Sequence, residues 1–144
     1  MAFQYSLQKI VDLKIREKSL AEWNLSKAIS LLVKGETALD KLMREKERIQ
    51  KQLANPSGEI SVFELQQLEN CLLAVEEKIK EQQKEVMSAQ TQVDQEKHEL
   101  KLKMIDEKLW SQAREKAYVR YIKEEMRKEQ HIMDDLALSR YVDS

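Results

Sequence analysis

Two long stretches of this chain place apolar residues at alternating spacings of three and four, and the only proline lies between them. In the first stretch Leu25, Ala28, Leu32, Gly35, Leu39, Leu42, Lys46, Ile49 and Leu53 keep the rhythm, and seven of the nine are apolar. In the second, Leu65, Leu68, Leu72, Val75, Ile79, Gln82, Val86, Ala89, Val93, Glu96 and Leu100 continue it, with nine of eleven apolar. A mean spacing of about 3.5 residues puts such positions on one narrow seam of a helix, the pattern of a coiled coil. A compact bundle helix explains a seam of that length poorly.

The break between the stretches is Asn55-Pro56-Ser57-Gly58. Proline biases Asn55 away from helix, and Gly58 permits positive φ. Ser61-Val62-Phe63-Glu64 follows at once and matches a capping box, in which Ser61 accepts from the Glu64 amide and Glu64 reaches back to the Ser61 amide. Ile60 and Leu65 stand where a hydrophobic staple would close. The expected layout is all-α: one helix over about 3–54, a turn at 55–60 and a second helix over about 61–141 in a single domain. Folding back at the break buries both stripes at low loop-closure cost, giving an antiparallel coiled-coil hairpin.

Charge favours the same docking weakly. Residues 1–54 carry 11 Lys/Arg against 7 Asp/Glu, and residues 59–100 carry 4 against 10. Arms of opposite sign attract, but exposed pairs contribute little, so the seams carry the stability. Symmetric pairing about the break sets Leu7 near Trp110 and leaves about 30 residues of the second helix as a C-terminal overhang, roughly 45 Å long. Tyr118, Tyr121, Met126, Ile132, Met133 and Leu136 lie on it, a set that suggests a partner surface. After Leu100 the rhythm reads as a slip, with Leu102, Ile105 and Leu109 opening another stripe that Val119, Met126 and Met133 continue; such a slip is a stutter. Before Leu25 the pattern is mixed, Leu7, Ile10, Leu13 and Leu20 competing with Val11 and Ala21.

Several classes of chemistry are poorly served. Two glycines, Gly35 and Gly58, cannot build a Walker loop or a dinucleotide-binding turn. Cys71 lies beside the Leu68/Leu72 seam, where a thiol packs as a small hydrophobe, and a lone cysteine fits a reducing cytosol. His131 with Asp134 and Asp135 shares a helix face but is too few ligands for a closed metal site. Glu76-Glu77 and Glu124-Glu125 read as solvated faces. The formal net charge of −1 argues against sequence-independent nucleic-acid binding. Residues 101–129 hold 9 basic and 6 acidic side chains, too sparse for a bZIP basic region and better suited to an acidic protein partner. The longest apolar run, Cys71 to Val75, is far short of the ~20 residues of a membrane span, and the N-terminus lacks a secretory pattern. Neither an enzyme nor a cofactor is expected.

The order of residues carries a resemblance. Phe3-x-Tyr5-x-Leu7-x-x-Ile10-x-x-Leu13-Lys14, followed by Glu17 and Lys18, resembles the opening of the FliJ family of bacterial flagellar export proteins. The Ser-Gly turn, the Ser61-x-x-Glu64 entry with Leu72, Val75 and Ile79, and the acidic close at Glu124-Glu125 and Met133-Asp134-Asp135 are similar too. The resemblance implies an antiparallel coiled coil like the stalk of rotary ATPases that is also a general export chaperone, non-enzymatic and cytoplasmic, and peripheral to the membrane through partners only. The implied partners are the hexameric export ATPase, the cytoplasmic domain of the membrane export gate and other export chaperones. Phe3, Tyr5, Trp110, Tyr118 and Tyr121 become the expected anchors for the ATPase. Tyr5 packed on Trp110 is the intramolecular alternative. The gate surface transfers to Leu42, Glu45, Ile49, Cys71, Val75 and Gln82, where the family's aromatics are missing.

Two rival readings fit the same pattern. A self-associating scaffold would place both arms in intermolecular seams, and light scattering separates it from a hairpin monomer. A stalk from a virulence secretion system would share the architecture, and genomic neighbours would separate it.

Overall fold

The structure, a computed structural model, describes residues 3–54 and 60–143. Nearly all of them fall in two helices, α1 (Gln8–Ala54) and α2 (Val62–Asp143), which pack against each other. No strand occurs among the described residues. The expected two-helix hairpin is thus the fold. Asn55 to Glu59, with Pro56 and Gly58, lie outside the described residues.

The helix starts follow local chemistry. α1 begins at Gln8 rather than near residue 3: the Gln8 amide donates to the Tyr5 carbonyl at 3.1 Å, and the Ile10 and Val11 amides share the Leu7 carbonyl. α2 opens on the anticipated cap. The Glu64 amide donates to Ser61 Oγ at 3.1 Å, and the Leu65 amide donates to the Ser61 carbonyl at 3.0 Å. The Glu64 amide, one of the donors that a helix start leaves unpaired, is satisfied there by the Ser61 side chain.

Contacts divide the chain into two compact units. One spans Ala21–Leu100; the other joins the chain up to Leu20 with the chain from Lys101 onward. In the Ala21–Leu100 unit the apolar seam is the one read from spacing. Ala28, Ile49, Val75, Ile79 and Val93 are buried, and every other seam position from Leu25 to Leu100 is half-buried, apart from Leu65 at 39% exposure. Ile49, Val75 and Ile79 form a cluster flanked by Leu39, Leu42, Leu53 and Leu72. Each such side chain contributes about 1.5–3 kcal/mol when fully buried. Gly35 is where the two backbones come close: a Cβ there would meet Val86 Cγ2 at 3.4 Å, and Gln82 Nε2 donates to the Gly35 carbonyl at 3.1 Å.

The unit holding the chain ends is built differently. Counted back from Leu25, the same rhythm reaches Ala21, Lys18, Lys14 and Val11; counted on from Leu100, it reaches Lys103, Glu107, Trp110, Arg114, Ala117 and Tyr121. All of these are buried or half-buried. No stutter follows Leu100. Leu102, Ile105 and Leu109 are 48%, 51% and 60% exposed, and Val119, Met126 and Met133 also face outward. On α1, Val11 and Ala21 win over Leu13 and Leu20, which are 51% and 59% exposed. Keeping one phase along each helix requires no local over- or underwinding, and the cost is a seam lined by charges.

Those charges pair across the helices. Lys14 Nζ lies 2.9 Å from Asp106 Oδ2, Lys103 Nζ lies 3.6 Å from Glu17 Oε2, and Lys18 Nζ lies 3.9 Å from Glu107 Oε2. Lys14 also approaches Glu17 Oε2 at 3.6 Å. The hydrogen bond to Asp106, helped by the charges of Asp106 and Glu17, raises the Lys14 pKa above the ordinary lysine value against the opposing effect of burial. Glu17 Oε2 is buried between the two ammonium groups without a hydrogen bond. Long aliphatic stems let such residues line a seam while their heads reach water or a partner.

The cross-helix pairs correct the expected register. Leu7 does not face Trp110. Instead Gln8 accepts from Arg114 Nε, and Phe3 meets Tyr118 and Tyr121. Helical side chains lean about one position toward their own N-terminus, so in an antiparallel pair their tips meet partners a few residues further along than symmetric counting gives. The overhang shortens accordingly. Glu125 is the last half-buried residue of α2, and residues 126–142 are all exposed, roughly 25 Å of helix.

Candidate partner-binding surface

The aromatic residues singled out from sequence gather at one place. Phe3 stacks on Tyr5 with ring centroids 6.3 Å apart, meets Tyr118 edge-on at 5.2 Å and tilts against Tyr121 at 5.3 Å. The Arg114 guanidinium lies 5.7 Å from the Phe3 ring centroid, a cation–π contact. The short segment ahead of α1 makes this possible, since residues 3–5 are not helical and bring Phe3 onto α2. Aromatic pairs of this geometry contribute about 0.5–1.5 kcal/mol beyond burial. Trp110 is half-buried on the α2 seam and is not part of the ring cluster. The anticipated Tyr5–Trp110 pair is replaced by Tyr5 on Phe3.

Much of the expected anchor set is therefore engaged within the chain. Tyr118 keeps 40% of its surface exposed, while Phe3, Tyr5 and Tyr121 are half-buried. Exposed apolar residues lie beyond them on α2. Met126, Ile132, Met133, Leu136 and Leu138 are 57–65% exposed, and Tyr141 and Val142 about 80%. Met133, Leu136, Ala137 and Arg140 line a shallow depression there. Further back, Gln112, Glu115, Lys116, Val119, Arg120 and Lys123 outline a second one, with three cations around a valine. Ile132, Met133 and Leu136 were already visible from spacing. Leu138, Tyr141 and Val142 were not singled out; their exposure near the end of α2 is the signal.

The positions transferred for a gate surface separate into two groups. Leu42, Ile49 and Val75 belong to the apolar seam, and Gln82 is held by its hydrogen bond to Gly35. Glu45 and Cys71 face outward, Glu45 within 4.0 Å of Arg48 and Cys71 as a free thiol. His131, Asp134 and Asp135 are exposed, and Gln130 Nε2 donates to Asp134 at 3.0 Å. Among the described residues no three His, Cys, Asp or Glu side chains are grouped to hold a metal, and no helix is long and apolar enough to cross a membrane.

Comparison with known proteins gives one result. The profile of the family described as "Flagellar FliJ protein" matches residues 3–144. No curated protein and no solved structure matches the chain. The match covers both helices, the aromatic arm and the exposed end of α2. The chain therefore belongs to the FliJ family, whose place is in the flagellar export apparatus.

Proposed function

We propose that this chain works as a non-enzymatic, stalk-like helical component of flagellar type III export, binding the hexameric export ATPase through the end of α2 and the aromatic arm beside it. One observation carries this reading: residues 126–142 continue α2 with Met126, Ile132, Met133, Leu136 and Leu138 exposed. A helix of that composition standing alone in water is marginal by itself, and a partner groove is the natural way to bury it. The Phe3 cluster then sets where the free helix begins, and the exposed part of Tyr118 adds an anchor at its base. Contact with the cytoplasmic domain of the membrane export gate, and handling of export chaperones, belong to the same proposal. The outward positions Glu45 and Cys71 are the accessible part of the surface transferred for the gate. The protein works in the cytoplasm, at the inner face of the membrane through its partners.

The test is capture of the cognate export ATPase by the full chain, by a chain ending after Glu125, and by M133D/L136D. Ending at Glu125 leaves Phe3, Tyr118 and Tyr121 in place, so the ring cluster is preserved. Binding should fall at least about tenfold in both variants, which corresponds to about 1.4 kcal/mol. Undiminished capture would remove the end of α2 from the assignment.

A further inference from the structure

The face of α2 turned away from α1 changes character after Leu100. Over residues 66–98 its large apolar side chains are Leu73 and Met87, and Glu77, Glu81 and Asp94 offset Lys80 and Lys84. Over residues 101–126 the same face carries Leu102, Ile105, Leu109, Val119, Ile122 and Met126, all 38–63% exposed. Lys101, Lys108, Lys116 and Lys123 accompany them, against Glu115 alone. At about 100° of turn per residue, Ile105, Val119 and Met126 run along the middle of the face. Leu102 and Leu109 lie on one side of that row, with Lys101 and Lys108 on the other. Farther on the sides exchange, and Lys116 and Lys123 lie across from Ile122. The apolar band thus crosses the face obliquely, with lysines on both margins. Two shallow, mainly apolar depressions follow it. Lys18, Lys101 and Lys108 surround Met104 and Ile105 in one, where Glu107 is paired with Lys18. Lys116, Arg120 and Lys123 surround Val119 in the other, beside Glu115. The charges of the seam neutralise one another across the helices. Lys101, Lys108, Lys116, Arg120 and Lys123 form no ion pair among the described residues.

We infer that the outer face of α2 from Lys101 to Met126 docks on an anionic phospholipid bilayer, the helix lying in the plane of the interface. Charge sets the sign of the surface it meets: the outward cations lack partners, and anionic headgroups supply them. Side-chain length fits as well. A lysine stem lies along neighbouring apolar groups while its ammonium reaches outward, so marginal lysines and a central apolar band enter an interface together. Shape decides between a bilayer and an acidic protein. The face is the convex back of a single helix, which a flat interface receives along its whole length, about 36 Å. A protein groove closing over it would bury the lysines on both margins and need a carboxylate for each. This contact is the chain's own, separate from any made through partner proteins, and it does not rest on the proposed function.

Flotation of the full chain with vesicles of phosphatidylcholine, with or without phosphatidylglycerol, tests this. The chain should rise with the anionic vesicles at about 0.1 M salt and stay behind with phosphatidylcholine alone. Most of the binding should be lost at about 1 M, where the screening length shrinks from about 10 to about 3 Å. I105D/L109D and K101E/K108E change outward side chains only, so helicity by circular dichroism should be unchanged. Each should weaken binding at least about tenfold. M133D/L136D, at the end of α2, should bind as the native chain does. Ile105→Trp in a W23F/W110F background should shift its emission to the blue on anionic vesicles and be quenched by brominated acyl chains. No association with anionic vesicles would overturn the inference and leave the face to an acidic protein. Equal binding to phosphatidylcholine, binding indifferent to I105D/L109D with helicity retained, or a loss confined to M133D/L136D would overturn it too. The vesicles carry no protein, so these outcomes are independent of the ATPase assignment.

Discussion

Gly35 is the seam residue whose substitution gives the most direct reading of how closely the helices approach. A methyl group there would meet Val86 Cγ2 and Gln82 Nε2 at 3.4 and 3.6 Å, ordinary contact distances. Mid-helix glycine costs about 0.5–1 kcal/mol relative to alanine. Gly35→Ala should therefore raise stability by about that amount, seen as a higher urea midpoint with an unchanged slope. Ile49, 3% exposed in the leucine-flanked cluster, should respond in the other direction: Ile49→Ala costs about 2–3 kcal/mol, the low end of such truncations because a two-helix seam can partly collapse. Lys14 supplies a pH signature. Its pKa is raised, by the hydrogen bond to Asp106 first, so its contribution is complete below the ordinary lysine value and is lost as pH rises through the shifted one. The stability difference between the native chain and Lys14→Met should be constant near neutrality and shrink as pH rises above the ordinary lysine value, as denaturant titrations at each pH would show.

At the level of the element, the start of α2 rests on a single side chain. Ser61→Ala should cost about 1 kcal/mol, and Ser61→Asp should retain most of the cap. Amide exchange of Glu64 should speed up in the alanine variant alone. The elements also show what spacing can and cannot reveal. From Leu25 to Leu53 and from Leu65 to Leu100 nearly every layer is apolar, so hydrophobicity and helical phase agree and the seam is legible. Beyond Leu100 they disagree. Leu102, Ile105 and Leu109 look like the continuation, yet phase selects Lys103, Glu107 and Arg114, which a hydrophobic criterion passes over. Their partners Glu17, Lys18 and Gln8 lie 86, 89 and 106 residues away in sequence, and only the fold reveals that they match. The aromatic site was half legible for a similar reason. Phe3, Tyr5, Tyr118 and Tyr121 stand out in composition, but that Phe3 would satisfy the tyrosines internally depends on α1 starting at Gln8.

For the molecule as a whole, the two units differ in what holds them closed. One relies on leucine, isoleucine and valine, the other on ion pairs and a ring cluster. Hydrogen exchange should separate them: amides near Ile49, Val75 and Ile79 should exchange most slowly, and those near Lys14 and Asp106 faster, more so in high salt. Buried apolar side chains are few throughout. Among the described residues the deepest are Val93 at 2%, Val11 and Ile49 at 3%, and none falls below that. Melting such a molecule newly wets little hydrocarbon, so its heat capacity should change by less than the about 12–15 cal/mol/K per residue of globular proteins. A small heat-capacity change takes the curvature out of the dependence of stability on temperature, so the hairpin should gain stability almost linearly on cooling below its melting point instead of passing through a maximum.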